Sequence, residues 1–548
     1  MRGSCVSAGP EAPAPESGSP VGAAAEGAGH AAGGRRLGRS TAIFSLWTGV
    51  SRVMGLAREI LAAVLFGTQG SINAFVIAFQ VPNLLRSLVA DSAISAAFVP
   101  VYTKLQEQGR HEEAKRLAGS LLGLVTLALG ALTLLAMLLA PWFMPFFAPG
   151  LSDPLVDEAV RLARIMFPIL VLLGITGIVV AILQAEGRFG PTAFAPVLWN
   201  AVIIGCLAIL TPVLSDGDRI LAYGIGVLAG TAAQLVYVAV YLRGLGPFPW
   251  GLGISSSHVR RVLVLMLPVT LGLGLINVNL SVDSIFATLV SEQAPRAIDA
   301  AFRLYLLPQG MFSVAIATVL FPTISRLAAR SDTRGVRDAS AEGLRWIFFV
   351  LLPAAAFLLV LSEPVVRFVY QYGQFDAEST SLTSEALFAF SLGLVFNGAS
   401  LLVIRTFFSL QRPWVPTMVA GGGVVLNALL DLLLYRPLGV GGIPLATSIV
   451  SLVTFVALAW LLADRIGGLR APFVIDGFVR CLIASVISAL LAWSSWQVLD
   501  EVLGRSFPAQ AFSLAVALAG GALAYAAACR AFWVPELERL GRLIRPLR

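Results

Sequence analysis

The chain has 548 residues, 57% of them hydrophobic and only 13% charged, with a mean hydropathy of +0.84. Soluble domains carry about 25% charged residues, so a soluble enzyme is excluded, and so is an outer-membrane barrel, whose strands alternate polar and apolar residues. The formal charge of +7 rests on arginine, since Lys104 and Lys115 are the only lysines, and these arginines are scattered between apolar runs, a pattern of membrane topology and not of nucleic-acid binding.

Residues 1–38 are Gly, Ala, Pro, Ser and Glu with almost no large apolar side chains, which predicts a disordered tail. Arg35, Arg36 and Arg39 then lead into an apolar run too long for the core of a signal peptide and carrying arginines of its own. From there about fourteen segments are long enough to cross about 30 Å of hydrocarbon. They fall at 41–66, 71–103, 117–141, 159–185, 191–213, 219–242, 260–290, 297–327, 343–363, 383–410, 414–434, 440–463, 474–497 and 508–530.

The connections alternate in charge. One set holds Lys104, Arg110, Lys115 and Arg116, then Arg188, then Arg243, Arg260 and Arg261, then Arg326 to Arg337, then Arg412, Arg465 and Arg470, and last the tail from Arg530 to Arg548. The other set offers little beyond Arg219, Arg296, Arg367, Arg436 and Arg505. The positive-inside rule places the first set, and both termini, in the cytoplasm. A weak internal echo links 184–200 (QAEGRFGPTAFAPVLWN) with 411–427 (QRPWVPTMVAGGGVVLN), in the manner of transporters built from repeated halves. Cys5, Cys206, Cys481 and Cys529 form no CxxC pair, and His30, His111 and His258 share no metal-ligand spacing, so neither a disulfide framework nor a zinc site is expected.

Ionisable residues inside spans are the informative ones, since each costs about 2.5–3.5 kcal/mol at the bilayer centre. The first span contains Arg52, Arg58 and Glu59, the second Arg86 and Asp91, the eighth Arg303. Arg52 and Glu59 are seven residues apart and share a helix face, and Pro82 removes a backbone hydrogen bond before Arg86. Arginines near a span end also snorkel to the interface, which is the plain alternative for Arg58. Taken as a cavity, these arginines suit an anion with phosphate oxygens, which guanidinium grips in bidentate geometry.

A second set is made of hard oxygen donors: Asp283 in the seventh span, Asn427 and Asp431 in the eleventh, and Thr447 in the twelfth. Two carboxylates with no basic neighbour suit a cation or protonation. A capping role at a helix end is the alternative for Asp431.

The segments SRVMGLAREILAAVLFG, NAFVIAFQVPNLLRSLVADSAISAAFVPVY and AAFRLYLLPQGMFSVAIATVLFPTISR resemble the MviN/MurJ family of bacterial lipid II flippases, within the wider exporter superfamily of multidrug/Na+ antiporters and polysaccharide flippases. The resemblance runs from about residue 40 to 530. It implies an all-α polytopic membrane fold of about 14 transmembrane helices, in two pseudo-symmetric six-helix lobes plus two C-terminal helices. The corresponding divisions are a cytoplasmic tail at 1–38, lobes at 39–245 and 246–465, a pair of helices with a lipid-tail groove at 466–530, and a basic cytoplasmic tail at 531–548. The family's cavity arginines match Arg52, Arg58, Arg86 and Arg303, with Glu59 as the neighbouring acid. Its cation site, taken here as Na+, matches Asp283, Asn427, Asp431 and Thr447 with the backbone carbonyl of Ile443. Members often have Asp at Asn73, a basic residue at Gln80 and Gly at Ser92.

The resemblance implies that lipid II, the undecaprenyl-diphosphate-linked precursor of peptidoglycan, moves from the cytoplasmic to the periplasmic leaflet of the inner membrane by alternating access. Membrane lipids, and cell-wall synthesis proteins, are the expected neighbours. The alternative is a related exporter of another lipid-linked oligosaccharide, or a drug/Na+ antiporter. An enzyme is not expected, because no group of carboxylates or histidines gathers at one membrane face.

Overall fold

The computed structural model describes residues 46–88, 91–253 and 256–544. The predicted tail at 1–38 lies outside them, as do Cys5 and His30. Among the described residues there are helices and no strands, which fits a chain whose backbone groups must be satisfied within each segment in hydrocarbon. The first half contains α1 (46–66), α2 (Ser71–Leu88), α3 (Asp91–Glu107), α4 (His111–Phe147), α5 (Asp153–Met166), α6 (Ile169–Ala185), α7 (Phe189–Leu210) and α8 (Leu221–Val240). There follow α9 (Ser257–Val290), α10 (Ala294–Pro308), a π-helical turn (Gln309–Ser313), α11 (Val314–Ala329), α12 (Thr333–Val360), α13 (Ser362–Tyr370), α14 (Ala377–Ser409), α15 (Trp414–Leu434) and α16 (Gly439–Ile466). The chain closes with α17 (Ala471–Leu503), α18 (Phe507–Ala531) and α19 (Pro535–Ile544).

Eleven helices among the described residues are long and apolar enough to cross a membrane. The other three expected segments are helical as well in their described residues: 46–66, which carries Arg52, Arg58 and Glu59; the second, which covers α2 and most of α3; and α9. Pro168 separates α5 from α6, and the π-helical turn divides the eighth segment after Pro308. Two helices, α13 and α19, have no counterpart among the expected segments, because each is short and amphipathic and neither has the length of a span.

Hydrogen bonds and ion pairs sort the connections into two faces. On face A, Tyr102 and Gln106 bond Glu186, Arg188 donates to the Tyr241 carbonyl, and Ser325 meets Ser409. There α19 is fastened by a buried pair, Arg345 to Glu536, at 2.6 and 3.0 Å. On face B, Arg161 pairs with Asp218, Ser152 bonds Glu292, and Arg367 pairs with Asp500. Asp376 caps α14 there by accepting from the Ser379 N–H at 2.8 Å, and these N–H groups hold its carboxyl below the usual range.

One apolar core runs through α10–α18, and separate cores fill α1–α8. Helix α9 touches α2, α3 and α4 on one side and α15 and α16 on the other. The last pair, α17 and α18, packs together and against α12. At face B the two groups of helices interlock: Gln374 N–H donates to Val64 O at 2.9 Å, and the Thr68 and Ser379 hydroxyls are 2.8 Å apart.

Candidate substrate cavity and cation site

Glu59 is the hub of the buried charge. It is 2% exposed, and its Oε1 lies 2.6 Å from Arg58 Nη2, 3.0 Å from Arg303 Nη1 and 3.2 Å from the donating Tyr223 hydroxyl. Its Oε2 lies 3.0 Å from Arg296 Nη1. Arg296, Asp299 and Arg303 are spaced i, i+3, i+7 on α10, so they share one face. Asp299 Oδ2 accordingly sits 3.1 Å from Arg296 Nη1 and 3.0 Å from Arg303 Nε. Arg58 also covers the Trp199 ring, 4.8 Å from its centroid, a favourable placement for a guanidinium. Three guanidiniums against two carboxylates leave a surplus positive charge.

Sequence and structure differ here in informative ways. Arg296 falls in a connection by sequence, yet it is 1% exposed, with Nε and Nη2 lacking a partner among the described residues. Asp299, near the start of the same segment, joins the cluster although it is not among the expected site residues. The signal that could have found them is their i, i+3, i+7 spacing with Arg303 in PRAIDAAFR. Arg58 and Arg303 stand against Glu59 and are not free groups awaiting an anion. Arg52 is exposed on α1, and its Nη1 lies 3.0 Å from where a Cβ on Gly310 would stand, in the π-helical turn of α10–α11. The side chains of Arg86 and Asp91 lie outside the described residues.

Asn73 has a structural account. Its amide donates to the Thr68 and Gly70 carbonyls at 2.7 and 3.3 Å, and its oxygen accepts from the Arg296 N–H at 3.0 Å. An ionised Asp could not make the first two bonds, having no donor. At this position the chain closes a turn and ties it to α10 without adding a charge.

The second cluster also assembles. Asn427 Nδ2 donates to Asp283 Oδ1 at 2.5 Å and to Asp431 Oδ2 at 2.9 Å, and the Thr447 hydroxyl donates to Asp283 Oδ2 at 3.2 Å. Asn427 and Asp431 are wholly buried, Asp283 is nearly so, and Ile443 lies buried on α16 one turn from Thr447. Asp431 Oδ1 and Asn427 Oδ1 are buried with no partner among the described residues. Such orphaned oxygens are costly, and they are the donor type that a hard cation takes. A cavity of about 240 Å³ is lined by Asp283 of this cluster and by Asp299 and Arg303 of the first.

Comparison with known proteins agrees with this architecture. The family described as Lipid II flippase MurJ matches residues 62–512. The lipid II flippase MurJ of Burkholderia cenocepacia is 30% identical over 83% of this chain and 90% of its own length. The probable lipid II flippase MurJ of Treponema pallidum is 28% identical over 83% and 88%. Among solved structures, a lipid II flippase MurJ in an inward closed conformation superposes with a TM-score of 0.74, at 24% identity, over 89% of this chain and 98% of that one. An inward-facing multidrug resistance transporter of the MATE family, of the MOP superfamily, gives a TM-score of 0.67 at 16% identity, over 77% and 96%.

Proposed function

The chain belongs to the MurJ family of lipid II flippases, and from that premise we propose that it carries lipid II from the cytoplasmic to the periplasmic leaflet by alternating access. It is a multi-pass membrane protein of a transporter family. Face A carries most of the arginine-bearing connections, which supports a cytoplasmic face A, both termini on that side, and residence in the bacterial inner membrane. The lobes interlock at face B, which supports a state closed toward the periplasm.

The observation that carries the reading is the bridge of Glu59 to Arg58 on its own helix and to Arg296 and Arg303 across the lobes. A diphosphate brings several anionic oxygens to a cluster that already has a positive surplus, and it competes with the single Glu59 carboxylate for Arg58 and Arg303. Arg303 is the more available of the two, with 31% of its side chain exposed. When it turns to the diphosphate it lets go of α1, and a link between the lobes is lost. Binding of the head group thus loosens the seam that must part for release on the other side. Arg52, beside Gly310 of the π-helical turn, completes the anionic pocket. The polyprenyl chain stays in lipid or along α17 and α18, where Ile475, Val479 and Leu490 are exposed. No covalent step is needed.

Na+ fits the second cluster, with Asp283, Asp431, Thr447 and the Ile443 carbonyl as oxygen ligands. A half-turn of the Asn427 amide would offer its oxygen in place of the nitrogen that now faces both carboxylates. Since Asp283 lines the same cavity as Arg303, a cation held by it acts next to the space of the head group.

The test is depletion of the protein in its host bacterium, with lipid II on each leaflet measured by an externally added enzyme that cleaves it. Accumulation in the protected, cytoplasmic pool is expected; an unchanged distribution overturns the reading.

A further inference from the structure

At face B, behind the segment that clasps α1, a cavity of about 440 Å³ lies between α13, the start of α14 and the α17–α18 turn. Small-molecule sites occupy about 300–1,000 Å³. One wall is Arg367, 6% exposed, which is bound to Glu363 and lies 3.4 Å from Asp500 Oδ1. Arg505 at the rim is 3.6 Å from Asp500 Oδ2. Two guanidiniums thus stand against two carboxylates, and no net charge selects an ion.

Uncharged polar groups make up most of the remaining lining: the amides of Gln371 and Gln510 and the hydroxyls of Thr380, Ser381 and Ser384. Thr380 and Ser384 already donate their protons to the Asp376 and Ser381 carbonyls, and Gln510 Nε2 donates to the Arg505 carbonyl. Their oxygens remain as acceptors for a ligand rich in O–H groups. Tyr372 and Phe507 form an aromatic wall, ring centroids 6.1 Å apart, and Phe507 stacks on Phe368 at 5.5 Å. Oxygen acceptors beside an aromatic wall, with balanced charge, suit a saccharide, whose C–H face lies on a ring while its hydroxyl edge donates.

We propose that this cavity is a saccharide site, one that receives the sugar portion of the lipid-linked head group on the periplasmic side. The assignment of that ligand rests on the flippase reading. The position adds a consequence: within residues 371–380, Gln371, Tyr372 and Thr380 line the cavity while Gln374 and Ser379 hold the first lobe. A sugar bound here acts directly on the segment that closes face B.

The test titrates full-length protein, in a detergent without a sugar head group, with N,N′-diacetylchitobiose, read by saturation-transfer NMR. Inorganic phosphate is the ionic competitor. Saturable binding of the disaccharide that phosphate does not displace is expected. The double variant Tyr372→Ala/Gln510→Ala should bind about tenfold more weakly, or worse, for the lost wall and hydrogen bond. Ser381→Trp, placed at an exposed position to fill the cavity, should abolish binding and serves if the double variant fails to fold. No saturable binding, displacement by phosphate, or unchanged binding by a folded Ser381→Trp variant overturns the proposal. Lipid II transport by the same preparation separates the two readings: transport without sugar binding removes this site alone, and sugar binding without transport overturns the flippase reading while the site stands.

Discussion

Glu59 and Arg296 meet across the seam between the lobes, Oε2 to Nη1 at 3.0 Å, both with 3% or less of the side chain exposed. Breaking one side of a buried ion pair costs about 3–5 kcal/mol because the other charge stays behind, and loss of the Glu59 charge would leave Arg58, Arg296 and Arg303 with Asp299 as their one neighbouring carboxylate in the cluster. Glu59→Gln should therefore lower the thermal midpoint of the purified protein and abolish growth of a flippase-depleted strain. Differential scanning calorimetry and complementation, with membrane levels checked by immunoblot, read the two effects.

Arg303 offers a cleaner separation of transport from folding, since 31% of its side chain is exposed. Arg303→Ala should abolish complementation while the protein accumulates in the membrane at the parent level. Full growth would show that the diphosphate is held without it.

Gly67 and Gly373 have φ of +59° and +61°, and each approaches the other's segment so closely that a Cβ would collide with backbone, at the Gln374 carbonyl and the Val64 carbonyl respectively. A side chain at such φ costs about 1–3 kcal/mol even without the collision. Gly373→Ala should part the lobes at face B. The reading is faster reaction of a Ser379→Cys reporter with a membrane-impermeant maleimide, compared in the parent and Gly373→Ala backgrounds.

If the Asp283–Asp431 cluster holds Na+ as proposed, Na+ should raise the melting temperature of the purified protein more than K+ does at equal ionic strength, and Asp431→Ala should remove the difference. Fluorimetric melting in matched salts checks it. Equal melting of the parent in both salts would defeat the Na+ assignment.

On face A, Arg345→Ala should destabilise the protein by about 3–5 kcal/mol by stranding Glu536, whereas Arg345→Met/Glu536→Leu should recover part of that loss. Chemical denaturation followed by circular dichroism compares the two.

Much of this protein is legible from sequence because lipid is a demanding solvent. A run of about 20 apolar residues has few fates in it, so the all-α membrane fold and the succession of helices follow from composition and length. The cost of a charge at depth likewise marks Arg58, Glu59 and Arg303 before any coordinates. The oxygen donors Asp283, Asn427, Asp431 and Thr447, far apart in the chain, stand out for the same reason.

Only tertiary structure decides how those charges are spent. Arg296 reads as a connection residue because hydropathy has no sense of what packs over a span end; the fold buries it against Glu59 and sets Asp299, one turn on, against Arg303. Asn73, where members of the resembled family often have Asp, is a turn-closing amide. Helices α13 and α19 escape notice because their apolar faces are short and find partners only in other segments. Burial per residue is local enough to be written in the sequence, whereas the pairing of a buried charge depends on which distant segment supplies its counterion.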